Sequence, residues 1–157
     1  MAKPVITVVC GTYKRLATLK RMVQSVRNTL ADTVVVDFVI ADNASDDGTW
    51  DWLEAQTDIT ALQMGAPVGA IKAFTEAAYQ ATGDYVVLAT DDIYFPPLAL
   101  LKALRWLETT PDCGVVAFAH NKSGQFKTDK QKAVTASGEK TGVIYPQICM
   151  VRRWLGG

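Results

Sequence analysis

Two adjacent carboxylates, Asp91 and Asp92, directly follow a short apolar run from Tyr85 to Ala89 and precede the pair Pro96-Pro97. Neighbouring carboxylates at the end of a buried strand repel each other and lose hydration. A hard divalent cation offsets both penalties, and Mg2+ or Mn2+ commonly shares its oxygen shell with substrate phosphates. One or both of Asp91 and Asp92 are therefore expected to hold such an ion; capping of the following helix is the competing role. A second cluster runs from Asp42 to Thr49, Asp-Asn-Ala-Ser-Asp-Asp-Gly-Thr. An acid at a strand end can accept from a base N–H or from ribose hydroxyls. Asp42 and Asn43 are therefore expected to face a ligand, and Asp46, Asp47 and Thr49 to build the turn. The third cluster is Gly11-Thr12-Tyr13-Lys14-Arg15. Thr12 and Tyr13 can hold a base by hydrogen bond and stacking. Arg15 and Lys14 can meet phosphate oxygens near a helix N-terminus, where the dipole also favours anions.

These clusters need elements that bring them together. Val5 to Cys10 and Val34 to Ala41 read as strands buried on both faces. Ile59 to Met64, Tyr85 to Ala89 and Gly114 to Ala119 read as further strands, with Val143 to Tyr145 and Ile148 to Val151 as short late ones. Leu16, Leu19, Met22, Val23 and Val26 recur at helical spacing, and Thr49 to Ala55 reads as a short helix. Ala66 to Thr82 reads as a helix ended by Gly83. Another starts at Pro96-Pro97, with Leu98, Leu101, Leu104 and Leu107 as its apolar face. Strands alternating with helices predict an α/β sandwich with a mostly parallel sheet. Ligands of such sheets lie beyond the carboxyl ends of the strands, where all three clusters fall. Residues 121–141 are polar and lysine-rich and suit a long loop or hairpin.

With 157 residues, 49% of them apolar and 20% charged, the chain has the composition of one globular domain. Sixteen basic residues balance sixteen acidic ones, which argues against a nucleic-acid backbone as the main partner. No apolar run approaches the roughly 20 residues of a membrane span. The start, Met1-Ala2-Lys3-Pro4, lacks the layout of a signal peptide. Cys10, Cys113 and Cys149 form no CxxC pair and suit reduced, buried thiols in a cytoplasmic protein. His120, the one histidine, suits a surface or satisfied residue. Trp106 and one of Trp50 and Trp52 suit packing, and Trp154 suits contact with a sugar or a partner.

In order, VVCGTYKR, VIADNASDDGT and GDYVVLATDDIYFPP resemble the nucleotide-binding half of inverting family 2 glycosyltransferases with the GT-A fold. The middle string is similar to that family's strand-end "DDGSTDGT" pattern and the third to its metal-binding DxD motif. Residues 149–157 are similar to the stretch that leads into the acceptor-binding half. The resemblance implies a Rossmann-like α/β/α sandwich with residues 1–120 as the nucleotide-sugar-binding subdomain. Residues 121–157 would then be a polar loop and the start of the acceptor half. It implies transfer of a sugar from a UDP, GDP or dTDP donor to a glycan, lipid or protein hydroxyl, with inversion and with Mn2+ or Mg2+. Thr12, Tyr13, Asp42 and Asn43 match the positions near the base, Asp91 the position that meets ribose, and Asp92 the metal ligand.

The sequence also departs from the family pattern. Gly11 and Lys14 flank Thr12-Tyr13 where Pro and Asn are frequent, and Ala89 stands where an acid is common. Phe74-Thr75 replaces the usual Arg-Asn, so Lys72, one helical step back, is the candidate replacement cation near the nucleotide. The family's general base lies beyond a position corresponding to Gly157. Within the chain only Asp129 and Glu139 are candidates. The expectation is a truncated transferase or a short relative that binds nucleotide without completing transfer, a nucleotidyltransferase being the weaker alternative. Apolar surface near Ile148 to Leu155 should then be uncovered and favour a homodimer through the C-terminal region.

Overall fold

A computed structural model describes residues 2–29, 32–118, 133–135 and 148–153. The elements are β1 (Val5–Thr12), α1 (Leu16–Arg27), β2 (Val35–Asp42), α2 (Thr49–Glu54), β3 (Ile59–Gln63) and α3 (Ala70–Tyr79). They continue with β4 (Tyr85–Leu88), α4 (Ala99–Thr109), β5 (Cys113–Ala117), β6 (Ala133–Thr135) and β7 (Cys149–Arg152). One seven-stranded sheet runs in the order β3-β2-β1-β4-β7-β5-β6. The first four strands in that order are parallel. β7 is antiparallel to both β4 and β5, so β5 runs with the parallel set, and only β7 and β6 oppose it. The mostly parallel α/β architecture expected from the alternating pattern is what the chain adopts.

The alternation of side chains along each strand decides which helix covers which face. Ile6, Val8 and Cys10 of β1 and Phe38 and Ile40 of β2 join one core with Leu19, Met22, Val23 and Val26 of α1 and Leu100, Ala103, Leu104 and Leu107 of α4. Val9, Val39, Ala41 and Val86 point the other way, onto Ala73 and Ala77 of α3. Burying each of the larger aliphatic side chains contributes about 1.5–3 kcal/mol, so the core clamps the strand ends into one rigid edge. All three cysteines are buried.

Several local expectations are corrected. α3 starts at Ala70, four residues later than Ala66, because Pro67 precedes it and Gly69 takes φ 89°. Its C-cap is Gln80, so Gly83 does not end it. Gly83 instead lies against β1, where its N–H donates to Thr7 Oγ1 at 2.9 Å. α4 begins at Ala99 and not at the prolines, after Leu98 takes a left-handed φ of 66°. Its buried face is Leu100, Ala103, Leu104 and Leu107, while Leu98 is 52% exposed. Steps of three residues fall about 60° short of a full turn each, so a 98-101-104-107 stripe winds off the core. Trp106 is on the outer face of α4, 47% exposed, and does not pack in the core; Trp52 does pack against it.

The late strand is the largest correction. Ile148, Cys149 and Met150 are buried because β7 inserts between β4 and β5. The uncovered apolar surface expected near Ile148 is therefore absent among the described residues, and with it the ground for a homodimer through this stretch. His120, Asp129, Glu139, the strand expected at Val143 to Tyr145, and Trp154 lie outside the described residues.

A Cβ at Gly83 would meet the Thr7 amide nitrogen and the Val5 carbonyl oxygen, each at 2.8 Å. Both belong to the backbone of a central strand and have no room to yield. Gly83→Ala is expected to cost about 1–3 kcal/mol, read as a lower urea midpoint at unchanged slope; an unaltered midpoint would show that β1 gives way freely.

Candidate functional site

Parallel pairing brings the strand ends level. Thr12 pairs with Asp42 across β1 and β2, and Val9 pairs with Leu88 across β1 and β4. Asp91 lies three residues beyond Leu88, as Thr12 lies three beyond Val9. The Thr12 hydroxyl accordingly donates to Asp91 Oδ2 at 2.9 Å across 79 residues of sequence. Small size at Gly11 allows this edge to form, because a Cβ there would be 3.2 Å from the Phe74 amide nitrogen of α3.

Arg15 completes the cluster. Its Nη1 lies 3.3 Å from Asp91 Oδ1 and 3.1 Å from Asp92 Oδ2. The Thr90 hydroxyl donates to Asp92 Oδ1 at 2.9 Å. Asp91 is only 6% exposed. Burial raises its pKa above the ordinary aspartate value, and the Thr12 hydrogen bond and the Arg15 charge oppose that rise only in part. Burial also pushes up the Cys10 thiol, and the charges of Asp91 and then Asp92 add to the effect. One nitrogen of Arg15 thus serves two carboxylates.

The second cluster buttresses the first. Asp47 Oδ2 accepts from the Leu16 amide at 3.1 Å and so caps α1 from another loop. Its Oδ1 accepts from the Thr49 hydroxyl at 2.5 Å, and these bonds hold its pKa below the ordinary aspartate value, the Thr49 bond being the largest cause. Ser45 Oγ accepts from the Lys14 amide at 2.8 Å. The Lys14 ammonium pairs with Asp46 at 2.8 Å and lies 5.3 Å from the centre of the Tyr13 ring. Lys14 and Ala44 both take positive φ, 51° and 63°, which bends the two loops toward each other. Asp42 is fully buried, and both its oxygens accept from the Ser45 amide at 3.2 Å. Asn43 Oδ1 accepts from the Val68 amide at 2.7 Å, tying this loop to the segment before α3.

Of the site residues named from sequence, Thr12, Arg15, Asp91 and Asp92 form one bonded group. Tyr13 borders it, 42% exposed. Asp42 and Asn43 lie at the same edge, with their side-chain oxygens bonded to backbone amides. Lys72 is exposed in the first turn of α3, beside Ala70, whose carbonyl approaches Gly11; it makes no ion pair among the described residues. Two participants carry no site role in the sequence reading: Thr90, bonded to Asp92, and the Val68 amide, whose position follows from the Pro67 and Gly69 breaks.

The donors suit a hard divalent cation. Asp92 offers a carboxylate 52% exposed at the rim, already paired with one cation, the Arg15 guanidinium. Among the described residues no group of three or more His, Cys, Asp or Glu could hold a metal, so a bound diphosphate would have to supply much of the shell, as Mg2+-type sites commonly require.

Asp47→Ala should lower stability by about 1 kcal/mol at neutral pH through loss of the α1 cap. Because the folded pKa is depressed, the contribution is present above the ordinary aspartate range and lost as pH falls through the lower folded value. Urea melts should show the gap between wild type and variant closing in acid; a gap that widens there contradicts the cap.

The family model described as glycosyl transferase family 2 matches residues 7–151. A mannosyltransferase from Pyrobaculum calidifontis, solved in complex with GDP-Man and Mn2+, superposes with a TM-score of 0.65 at 26% identity. That match covers 77% of this chain and 37% of the mannosyltransferase. S. aureus TarS 1-349 superposes with a TM-score of 0.71 at 16% identity, covering 96% of this chain and 47% of TarS. The same TarS segment in complex with UDP-GlcNAc gives 0.66 at 19% identity, with 76% and 35% covered. No curated protein gives a significant sequence match. The chain spans between about a third and a half of the length of these solved structures.

Proposed function

The chain belongs to glycosyl transferase family 2, and from that premise we propose that it holds a nucleoside diphosphate sugar on this rim for transfer of the sugar to an acceptor hydroxyl, with inversion at the anomeric carbon. The observation that carries the reading is the bonded group of Thr12, Arg15, Asp91 and Asp92 at one sheet edge. The Mn2+ and the nucleotide sugars bound by the structural relatives support it. No helix among the described residues is long and apolar enough to cross a membrane. The three buried cysteines support a cytoplasmic setting, where thiols stay reduced.

Each residue has a task that follows from its position. Tyr13 offers an exposed ring for the base and Asn43 borders it, while Asp42, expected to face the ligand, is enclosed and instead holds the Ser45 turn behind them. Asp91, nearly enclosed and fixed by Thr12, presents acceptor oxygens to ribose hydroxyls. Asp92 holds Mn2+ or Mg2+, with Asp91 able to join. The cation, when bound, acts as a Lewis acid that stabilises charge on the departing diphosphate. Arg15 and Lys72 supply further positive charge near the diphosphate oxygens. The residue that deprotonates the acceptor is assigned to neither Asp129 nor Glu139.

Calorimetry with UDP, GDP and dTDP tests the reading. One of them should bind with Mn2+ at least about tenfold more tightly than without it, and Asp92→Asn should remove that difference. Binding that ignores metal and survives Asp92→Asn would overturn the metal-diphosphate site. Donor binding without turnover would identify a nucleotide-binding half that does not complete transfer by itself.

A further inference from the structure

Arg15 and a divalent cation need the same carboxylate lone pairs. A single nitrogen, Nη1, lies within 3.3 Å of Asp91 Oδ1 and 3.1 Å of Asp92 Oδ2. Thr12 and Thr90 hold the other oxygen of each carboxylate, at 2.9 Å. Every carboxylate oxygen in the pair thus already has a donor, and the two facing Arg15 are those a rim cation would take. The Arg15 side chain is 55% exposed, so it is free to swing out. Its backbone is held where α1 begins, with its carbonyl accepting from the Leu19 amide at 2.9 Å and the Thr18 hydroxyl at 3.1 Å.

From this geometry we infer that Arg15 is the built-in counter-ion of the Asp91–Asp92 pair and competes with the metal. Resting on the donor-site reading above, the inference adds an order to it. Metal alone binds weakly because it must displace the guanidinium. Metal with a nucleoside diphosphate binds well, because the displaced guanidinium finds phosphate oxygens as its new partners. Arg15 therefore couples the two ligands and opposes loading of the cation without the donor.

The test is Mn2+ binding to the protein without nucleotide, read by the loss of the free-ion electron paramagnetic resonance signal. Arg15→Gln should bind Mn2+ alone about tenfold more tightly than wild type, the scale expected for deleting one unit charge beside a divalent ion in partly solvated surroundings. Arg15→Lys, which keeps the charge, should stay within about threefold of wild type. Asp92→Asn in the Arg15→Gln background should abolish the gain, which locates the ion at this pair. With Mn2+ present, Arg15→Gln should bind the diphosphate that wild type prefers about tenfold more weakly. Unchanged or weaker Mn2+ binding by Arg15→Gln overturns the inference, as does a gain that persists without Asp92. The donor-site reading fails separately, if wild type shows no metal-dependent nucleotide binding while Arg15→Gln still gains Mn2+.

Discussion

Two carboxylates side by side at the end of a buried strand must be compensated, and the rest of the rim is arranged around that need. Asp91 is enclosed and its pKa is pushed up by that enclosure. One hydroxyl and half of one guanidinium are its only partners among the described residues. Asp92 is more open and shares the same nitrogen. Two carboxylates that share one guanidinium are compensated only in part, which supports the proposed role in which an incoming cation supplies the missing positive charge.

The fold makes that arrangement possible by collecting distant sequence at one edge. Parallel register places Thr12, Asp42 and the Asp91 turn level with one another, and helices on both faces hold the strands in that register. Hydrogen bonds between loops then lock the edge. Asp47 caps α1 from 31 residues away, Ser45 receives the Lys14 amide, and Asn43 anchors the segment before α3. Positioning of this kind matters because an acceptor or donor atom misplaced by about 1 Å can lose a large part of a rate enhancement.

Much of the site is legible in the residues themselves. The β-branched runs mark buried strands, and polar clusters immediately after three of them mark the rim. Arg15, Thr12 and the aspartate pair are recognisable because their chemistry is unusual at such positions. What is not legible depends on contacts between distant segments. Nothing local says that Asp47 caps α1 and not its own turn alone, or that Asp42 is wholly enclosed. The insertion of β7 between β4 and β5 is a choice of sheet order, and a four-residue strand carries no signal for it. The start of α3 is legible locally, since Pro67 and Gly69 mark a helix boundary by steric rules, whereas the left-handed Leu98 that delays α4 past the two prolines carries no signal in the sequence.

The central claim is that a divalent cation and a diphosphate meet at Asp92 on this rim. Paramagnetic broadening of amide resonances by substoichiometric Mn2+, with a nucleoside diphosphate present, measures this directly. Signals of residues 12–16 and 90–93 should broaden first, those of 43–45 next, and those of 101–109 in α4 should persist. Broadening centred elsewhere, or spread evenly over the acidic surface, would contradict the account.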